Sequence, residues 1–202
     1  MNAATERLEV AGPAGLIECA VDTPETVRGV VVLCHPHPQH GGTMDNKVVQ
    51  TLARAFVQLG YRSWRFNFRG VGGSAGAWDD GRGEVDDVLA VIQAGRDAGL
   101  PLALGGFSFG AAMATRAAVR LPEAERPERL VLVGPAALNY ELPAVPAGTL
   151  VIHGEADEVV PLSAVLDWAR PQVLPVTVVP GVGHFFHGQL PLLKQLVVGA
   201  WH

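Results

Sequence analysis

The sequence predicts an α/β fold in one domain, with a mostly parallel, twisted sheet and helices on both faces. Two observations lead to this prediction. Short apolar runs rich in β-branched residues alternate with longer segments of helical periodicity, and neither an internal repeat nor a linker divides the 202 residues. Alternating strands and helices form βαβ units, which build parallel sheets covered by helices. Residues 1–202 are therefore treated as a single domain.

The first half of the chain supplies two hairpin strands, a buried strand, a helix and a further strand. Residues 6–10 and 15–21 flank a turn that contains Gly and Pro, and are expected to pair antiparallel. Residues 29–34 read GVVVLC, a continuous apolar run typical of a strand buried on both faces. Apolar residues recur at helical spacing over 46–59, and 61–68 follow as a strand.

The second half continues this alternation. Residues 84–98 are predicted as a helix, 101–107 as a buried strand, 109–121 as a helix and 129–133 as a strand. The last predicted elements are a strand, a short helix, a strand and a closing helix, at 149–153, 163–169, 176–179 and 189–201. Ligands of such sheets bind at the carboxyl ends of the strands, so the residues just after each strand are the candidates for chemistry.

Composition and charge argue against several classes of function. The net charge is −5 and Lys and Arg form no stripe, which argues against a nucleic-acid partner. No apolar run approaches about 18 residues, and the segment MNAATERLEV lacks the apolar stretch of a signal peptide. We expect a cytoplasmic protein without a membrane partner, in which Cys19 and Cys34 are buried, unreactive thiols.

A serine stands where a predicted strand turns into a helix. Residues 106–110 read Gly-Phe-Ser-Phe-Gly, a G-x-S-x-G pattern. A sharp strand-to-helix turn strains the backbone of its central residue, and the flanking glycines relieve the crowding. The hydroxyl of Ser108 would then be presented at a helix N-terminus, where a developing negative charge is favoured. The pattern predicts Ser108 as a nucleophile, and the alternative is a serine that only caps the helix.

The base for Ser108 is sought downstream, because this turn has its partners in the chain order serine, acid, histidine. His184 follows the last predicted strand through a glycine-containing turn, which suits an imidazole that reaches over the strand ends. His187, near the closing helix, is the weaker alternative. His153 is expected to end its strand as a packed residue, and His202 is terminal.

The acid is sought between Ser108 and His184, in the loop after the next-to-last predicted strand. Asp157 lies past the end of that strand, and is predicted to orient the imidazole and to stabilise its protonated form. Glu155 and Glu158 in the same loop are the competitors. Because the three residues stand in the right order, each after a separate strand, the set is far more specific than the serine motif alone.

These residues resemble the α/β-hydrolase superfamily, and more closely a group of small bacterial serine hydrolases, related to dienelactone hydrolase, that lack the usual lid. The most specific stretches are HPHP at 35–38 with GGTMDNK at 41–47, FNFRGVG at 66–72, GFSFG at 106–110 and HFF at 184–186. The resemblance implies an α/β-hydrolase fold with Ser108, Asp157 and His184 as an esterase-type triad. Dienelactone hydrolase itself uses a cysteine nucleophile, so its lactone chemistry is not expected here.

The same resemblance bears on access to the site. Larger relatives insert a cap domain after the strand that corresponds to 129–133, whereas only residues 134–148 separate that strand from the next one here. We therefore expect no lid and an open, shallow crevice. The candidate wall residues, for each of which core packing is the alternative, are Trp78, Tyr140, Leu142 and Phe186.

Residues 34–42 read CHPHPQHGG and raise the question of a metal site, because three histidines lie within six positions. No ligand pair at metal-ligand spacing follows downstream, which argues against a metal. In the fold that the sequence resembles, this loop supplies one backbone N–H to an oxyanion hole, and the residue after the nucleophile, Phe109, supplies the other. Proline has no N–H. With His35 at the strand end, His37 is the expected donor and Gln39 the second candidate.

The sequence therefore predicts a serine hydrolase that cleaves a carboxylester or thioester of a small acyl substrate through an acyl-enzyme, without a metal or an organic cofactor. The alternative is a non-catalytic relative that serves as a binding or regulatory module. Nucleotide binding is a third hypothesis, since residues 70–75 fit G-x-G-x-x-A. It is disfavoured because a loop follows where a dinucleotide site requires a helix.

Overall fold

The structure is a computed structural model that describes residues 5–127 and 129–201. Over these ranges the chain forms eight strands and five α-helices. In chain order they are β1 Glu6–Gly12, β2 Gly15–Asp22, β3 Gly29–Cys34, α1 Lys47–Gln58, β4 Tyr61–Phe66, α2 Gly83–Gly95, β5 Leu102–Phe107, α3 Phe109–Arg120, β6 Arg129–Val133, β7 Leu150–Gly154, α4 Leu162–Ala169, β8 Val176–Val179 and α5 Leu190–Ala200.

The eight strands form one sheet in the order β1-β2-β4-β3-β5-β6-β7-β8. β1 pairs antiparallel with β2, and β2 with β4, while all other neighbours are parallel. α2, α3 and α4 contribute to the core on one face, and α1 and α5 to the core on the other. The predicted mostly parallel sheet between two helical layers is confirmed. Because β4 and β5 lie on opposite sides of β3, the carboxyl ends of β3 and β5 border a topological switch point, where such sheets bind ligands.

The central strands follow from their sequences. Every residue of β3 and of β5 is buried, as expected for apolar runs covered on both faces. Each fully buried Val, Leu or Phe side chain contributes about 1.5–3 kcal/mol relative to an exposed one. α1 starts where Asn46 caps it, since its side-chain oxygen accepts hydrogen bonds from the N–H groups of Val48 and Val49.

Two predicted elements are too long. β4 ends at Phe66 rather than at residue 68. The N–H of Asn67 still donates to Glu18 O of β2, but the N–H of Phe68 donates to Nε2 of the His35 side chain instead of to a neighbouring strand. α2 ends at Gly95 rather than at residue 98, since Arg96 is extended, with φ −64° and ψ 138°. The other predicted ends agree with the structure to within two residues, those of the N-terminal hairpin included.

Both cysteines are free and buried, as predicted. Burial, with a smaller contribution from the charge of Glu18, raises the pKa of the Cys19 thiol to about 12. Burial also raises the pKa of Cys34. Both thiols therefore stay protonated and unreactive at neutral pH. No helix among residues 5–127 and 129–201 is long and apolar enough to cross a membrane.

His35 joins the ends of β3 and β4. Its side chain is fully buried, its Nδ1–H donates to Pro36 O at 2.6 Å, and its Nε2 accepts the N–H of Phe68 at 3.0 Å. Both ring nitrogens are thus engaged within the fold, which explains why His35 is not available to a metal. Burial, against a smaller opposing effect of the Pro36 hydrogen bond, lowers the pKa of His35 from 6.5 to about 4.

We expect this histidine to destabilise the protein in mild acid. A pKa that is lower in the folded than in the unfolded state contributes stability above pH 6.5, and that stability is lost as the pH falls towards 4. The full loss is about 3 kcal/mol in the free energy of unfolding. Urea denaturation at pH 7 and pH 4.5 should show a smaller pH dependence for His35→Gln than for the wild type. Equal pH dependence in both proteins would contradict this assignment.

Candidate active site

Ser108 occupies the turn between β5 and α3. Its φ is 56° and its ψ −118°, a conformation rare for a residue with a side chain, and its N–H donates to Val133 O at 2.9 Å. A Cβ on Gly106 would lie 2.6 Å from the carbonyl carbon of Gly110, and a Cβ on Gly110 would overlap the carbonyl of Cys34. The two glycines of the motif therefore allow α3 to start directly against β5 and β3.

Three side chains from three strand ends meet above the sheet. Ser108 Oγ lies 3.0 Å from His184 Nε2, and His184 Nδ1 lies 2.6 Å from Asp157 Oδ2. A carboxylate only accepts hydrogen bonds, so Nδ1 carries the proton and Nε2 is free to accept the hydroxyl proton of Ser108. All three residues are buried, with at most 8 % of their surface exposed. The arrangement is able to withdraw a proton from the serine hydroxyl.

The carboxylate of Asp157 is held by its own loop. Oδ1 accepts the N–H groups of Val159 at 2.9 Å and Val160 at 2.8 Å, so only Oδ2 is left to face His184. Burial opposes the charge of this carboxylate, but hydrogen bonds from His184 and from the backbone of Val160 outweigh it and lower the pKa of Asp157. Asp157 is therefore ionised at neutral pH.

The imidazole of His184 is packed on two sides. Its ring lies over the ring of Phe107 at a centroid distance of 4.7 Å and edge-on to Phe185 at 5.1 Å. A Cβ on Gly134, whose φ is 50°, would lie 3.2 Å from His184 Cε1 and 3.6 Å from Asp157 Oδ2. Gly134 thus leaves room for the imidazole and the carboxylate to meet, a role that its sequence context did not reveal.

The alternatives to the base and the acid are placed elsewhere. His187 is exposed and its ring lies against Phe185. Glu155 is exposed and accepts the N–H of Gly181, and Glu158 is exposed at the surface of the same loop. Of the carboxylates of this loop, Asp157 is the one that hydrogen-bonds to an imidazole.

His153 is fully buried at the end of β7, as expected of a packed residue, and His202 lies outside the described residues. The sequence did not predict what His153 touches: its Nε2 lies 2.9 Å from Val160 O and 3.5 Å from Asp157 Oδ2. No local pattern signals this contact, because it depends on how the loop from Asp157 to Val160 folds back over the strand end.

The histidine-rich loop lies beside the start of α3. The His37 ring stacks on His40 at 4.5 Å and also contacts the rings of Trp78, at 4.5 Å, and Phe109, at 5.2 Å. The N–H of Gln39 already donates to His37 Nδ1, which removes the second oxyanion-hole candidate. Within the part of the chain that the structure describes, the N–H groups of His37 and Phe109 donate to no acceptor.

The four expected wall residues divide into two pairs. Trp78 and Tyr140 are half-buried, and their rings contact Phe109 at 5.2 and 5.3 Å. Leu142 and Phe186 are buried within the two cores instead, so their assignment to a wall is wrong. Both lie outside helices and strands, and the apolar character of a residue does not tell whether a loop places it in the core or at a surface.

The crevice is open, as predicted. Between β6 and β7 the segment 134–149 contains neither a helix nor a strand, so it forms no cap. A groove of about 440 Å³ borders His184, and exposed Val159 and Phe185 line it together with Glu158. Phe185 belongs to the HFF motif at 184–186 but was not predicted to line a groove, and neither was Val159, which follows Asp157 by two positions.

A larger cleft, of about 1080 Å³, lies between the first hairpin and α1 and shares no lining residue with this site. Much of its charge is paired internally: Arg65 binds Asp22 and Asp45, and Arg7 binds Asp45. The larger volume of this cleft is therefore no reason to prefer it over the groove beside His184 as the candidate site.

Three kinds of comparison, with a family model, with solved structures and with curated proteins, place the chain among known proteins. A family model described as serine aminopeptidase, S33, matches residues 25–147, more than half of the chain. The match begins before β3 and ends between β6 and β7, so it includes Ser108 and stops short of Asp157 and His184.

The whole chain is similar to solved structures. An α/β serine hydrolase without a lid from Xanthomonas campestris shares 39% identity and a TM-score of 0.88, over 99% of this chain and 94% of that one. An α/β serine hydrolase homologue from Coxiella burnetii shares 36% identity and a TM-score of 0.84, over 100% of both.

Among curated proteins, an uncharacterized protein of Rickettsia prowazekii is 43% identical over 117 residues, which are 55% of this chain and 49% of that protein. The chain thus matches about half the length of this curated relative.

Proposed function

The chain belongs to the α/β-hydrolase superfamily, among its serine hydrolases without a lid, and we propose that it cleaves an ester-type bond of a small acyl substrate with Ser108, His184 and Asp157 as its triad. One observation carries the proposal. A continuous chain of hydrogen bonds, of 3.0 and 2.6 Å, links the serine hydroxyl through the imidazole to an ionised, buried carboxylate. Such a chain serves to activate a nucleophile.

In the proposed reaction, Ser108 Oγ attacks the carbonyl carbon of the substrate while His184 Nε2 takes the hydroxyl proton. The negative oxygen of the tetrahedral intermediate accepts hydrogen bonds from the N–H groups of Phe109 and His37, and the N-terminus of α3 adds its dipole. The imidazolium, stabilised by Asp157, then protonates the leaving group. Water activated by the same imidazole finally hydrolyses the acyl-enzyme.

The residues around His184 indicate which kind of leaving group the substrate carries. Since this imidazole hands its proton to the leaving group, the leaving group belongs next to it, in the groove lined by Val159 and Phe185. An alcohol or a thiol fits this largely uncharged groove. An amide is the second candidate, because the matched family is described as serine aminopeptidase and Glu158 in the groove is able to pair with a free ammonium group.

The test combines a probe with two substrate series. The wild-type protein should react with a fluorophosphonate in one-to-one stoichiometry and should hydrolyse short-chain p-nitrophenyl esters. Faster turnover of amino-acid p-nitroanilides than of the esters would favour an amide as the substrate. A folded protein that neither reacts with the fluorophosphonate nor hydrolyses any of these substrates would contradict the proposed hydrolase activity and favour a role as a binding module.

A prediction for His37 separates its backbone from its side chain. His37→Ala is expected to keep kcat within about tenfold of the wild type, because the proposed oxyanion donor is a main-chain N–H, whereas the loss of such a donor costs about 10²–10³ in kcat. His37→Pro, which removes that N–H, should show the larger loss. Steady-state kinetics with one p-nitrophenyl ester checks both. If His37→Ala is as inactive as His37→Pro while still folded, the imidazole itself takes part.

A further inference from the structure

A second histidine touches the acid of the proposed triad. His153 at the end of β7 is fully buried, and its Nε2 lies 2.9 Å from Val160 O and 3.5 Å from Asp157 Oδ2, the oxygen that binds His184. The reaction described above gives His153 no role.

The protonation of His153 follows from its partners. A carbonyl oxygen only accepts, so Nε2 carries the hydrogen that binds Val160 O. Nδ1 of the neutral ring is then an acceptor, and it is buried without a hydrogen-bond partner among the residues that the structure describes. Burial lowers the pKa of His153, against smaller opposing effects of Asp157 and Val160, which keeps the ring neutral. A buried polar atom without a partner is costly, and an apolar side chain would avoid that cost.

The contacts of Val160 show what His153 contributes. The N–H of Val160 donates to Asp157 Oδ1, and its carbonyl accepts the hydrogen of His153. This residue is therefore held at both ends, and the N–H of Val159 adds a second bond to the same oxygen, Oδ1. With Oδ1 fixed in this way, the carboxylate of Asp157 has only one rotation in which Oδ2 meets His184 Nδ1.

We propose that His153 is a positioning residue of the active site, which holds the turn from Asp157 to Val160 so that Oδ2 of the carboxylate stays aligned with His184. The inference rests on the proposed triad. The 3.5 Å from Nε2 to Oδ2 is longer than a hydrogen bond, so His153 acts on the carboxylate through Val160. The titratable groups in contact with Asp157 are His184 and His153, and Glu155 and Glu158 of the same loop are exposed.

Two variants separate positioning from packing. His153→Phe fills the space without a donor, whereas His153→Gln places an amide N–H near the position of Nε2. His153→Phe is expected to lower kcat and the rate constant of fluorophosphonate labelling about ten- to a hundredfold, with KM nearly unchanged, because small misplacements of catalytic groups are costly. His153→Gln should recover most of that loss. His153→Leu serves as a second donor-free variant if the phenylalanine does not fit.

A spectroscopic measurement reads the same alignment without turnover. The proton of the short His184 Nδ1–H···Oδ2 bond should give a far-downfield NMR resonance in the wild type and in His153→Gln, and should be broadened or lost in His153→Phe. Ser63→Ala, which removes a different buried polar side-chain atom without a partner in the described chain, the hydroxyl oxygen, is the matched control and should leave kcat and the resonance unchanged.

The outcomes are distinguishable. An unchanged resonance and an unchanged labelling rate in folded His153→Phe would overturn the role of His153. A wild type that shows the resonance but neither labels nor hydrolyses esters would instead contradict the proposed function, and the resonance would still decide whether His153 aligns Asp157.

Discussion

Ser108→Ala is expected to lower kcat for ester hydrolysis by about 10⁴- to 10⁶-fold and to abolish labelling by a fluorophosphonate. Alanine has no oxygen with which to form an acyl-enzyme, and His184 Nε2 then has no hydroxyl proton to accept. Residual activity would come from binding and from the oxyanion donors alone. Stopped assays at high protein concentration and the intact mass after labelling measure the two effects. Activity within tenfold of the wild type would place the nucleophile elsewhere.

The backbone of Ser108 provides a matched control for this variant. Its φ of 56° is unfavourable for any residue with a Cβ, and such a conformation costs about 1–3 kcal/mol. Alanine keeps that strain, whereas glycine relieves it at a smaller cost in chain entropy. Ser108→Gly is therefore expected to be as inactive as Ser108→Ala but more stable by about 1 kcal/mol in urea denaturation. A less stable glycine variant would mean that the turn is not strained.

Features that depend on a few neighbouring residues could be predicted from the sequence. β3 begins and ends where its apolar run does, because burial on both faces leaves no tolerance for a polar residue inside it. The turn at Ser108 was predicted for a similar reason, since only glycines fit where α3 meets β5 and β3. The predicted ends failed where a side chain captures the backbone, as His35 does with Phe68 at the end of β4.

Long-range contacts could be predicted only through topology. Ser108 and His184 are 76 positions apart and His184 and Asp157 are 27 apart, and the sequence brought them together because parallel strands end at one edge of the sheet. That rule places residues near an edge and gives no side-chain orientation. The contact of His153 with the acid, and the burial of Leu142 and Phe186, depend on how the loops fold and could not be predicted.

The loop of Asp157 also determines what an isosteric substitution does. Asparagine has one carbonyl oxygen and one NH₂ group in place of two equivalent oxygens. The N–H groups of Val159 and Val160, at 2.9 and 2.8 Å, both require an acceptor at the position of Oδ1. The amide oxygen must occupy that position, since an NH₂ group there would be a donor facing the two N–H donors of Val159 and Val160 with no acceptor between them. The NH₂ group is then directed at His184 Nδ1.

Asp157→Asn is therefore expected to lower kcat by about 10⁴-fold while the protein stays folded. With an NH₂ group facing it, Nδ1 must accept, the proton moves to Nε2, and the imidazole is no longer able to take the hydroxyl proton of Ser108. Glu158→Gln, which neutralises an exposed carboxylate of the same loop, is the matched control and should keep kcat within a few-fold of the wild type. Kinetics and thermal unfolding of both variants decide: a large loss in Glu158→Gln with little loss in Asp157→Asn would assign the acid to Glu158.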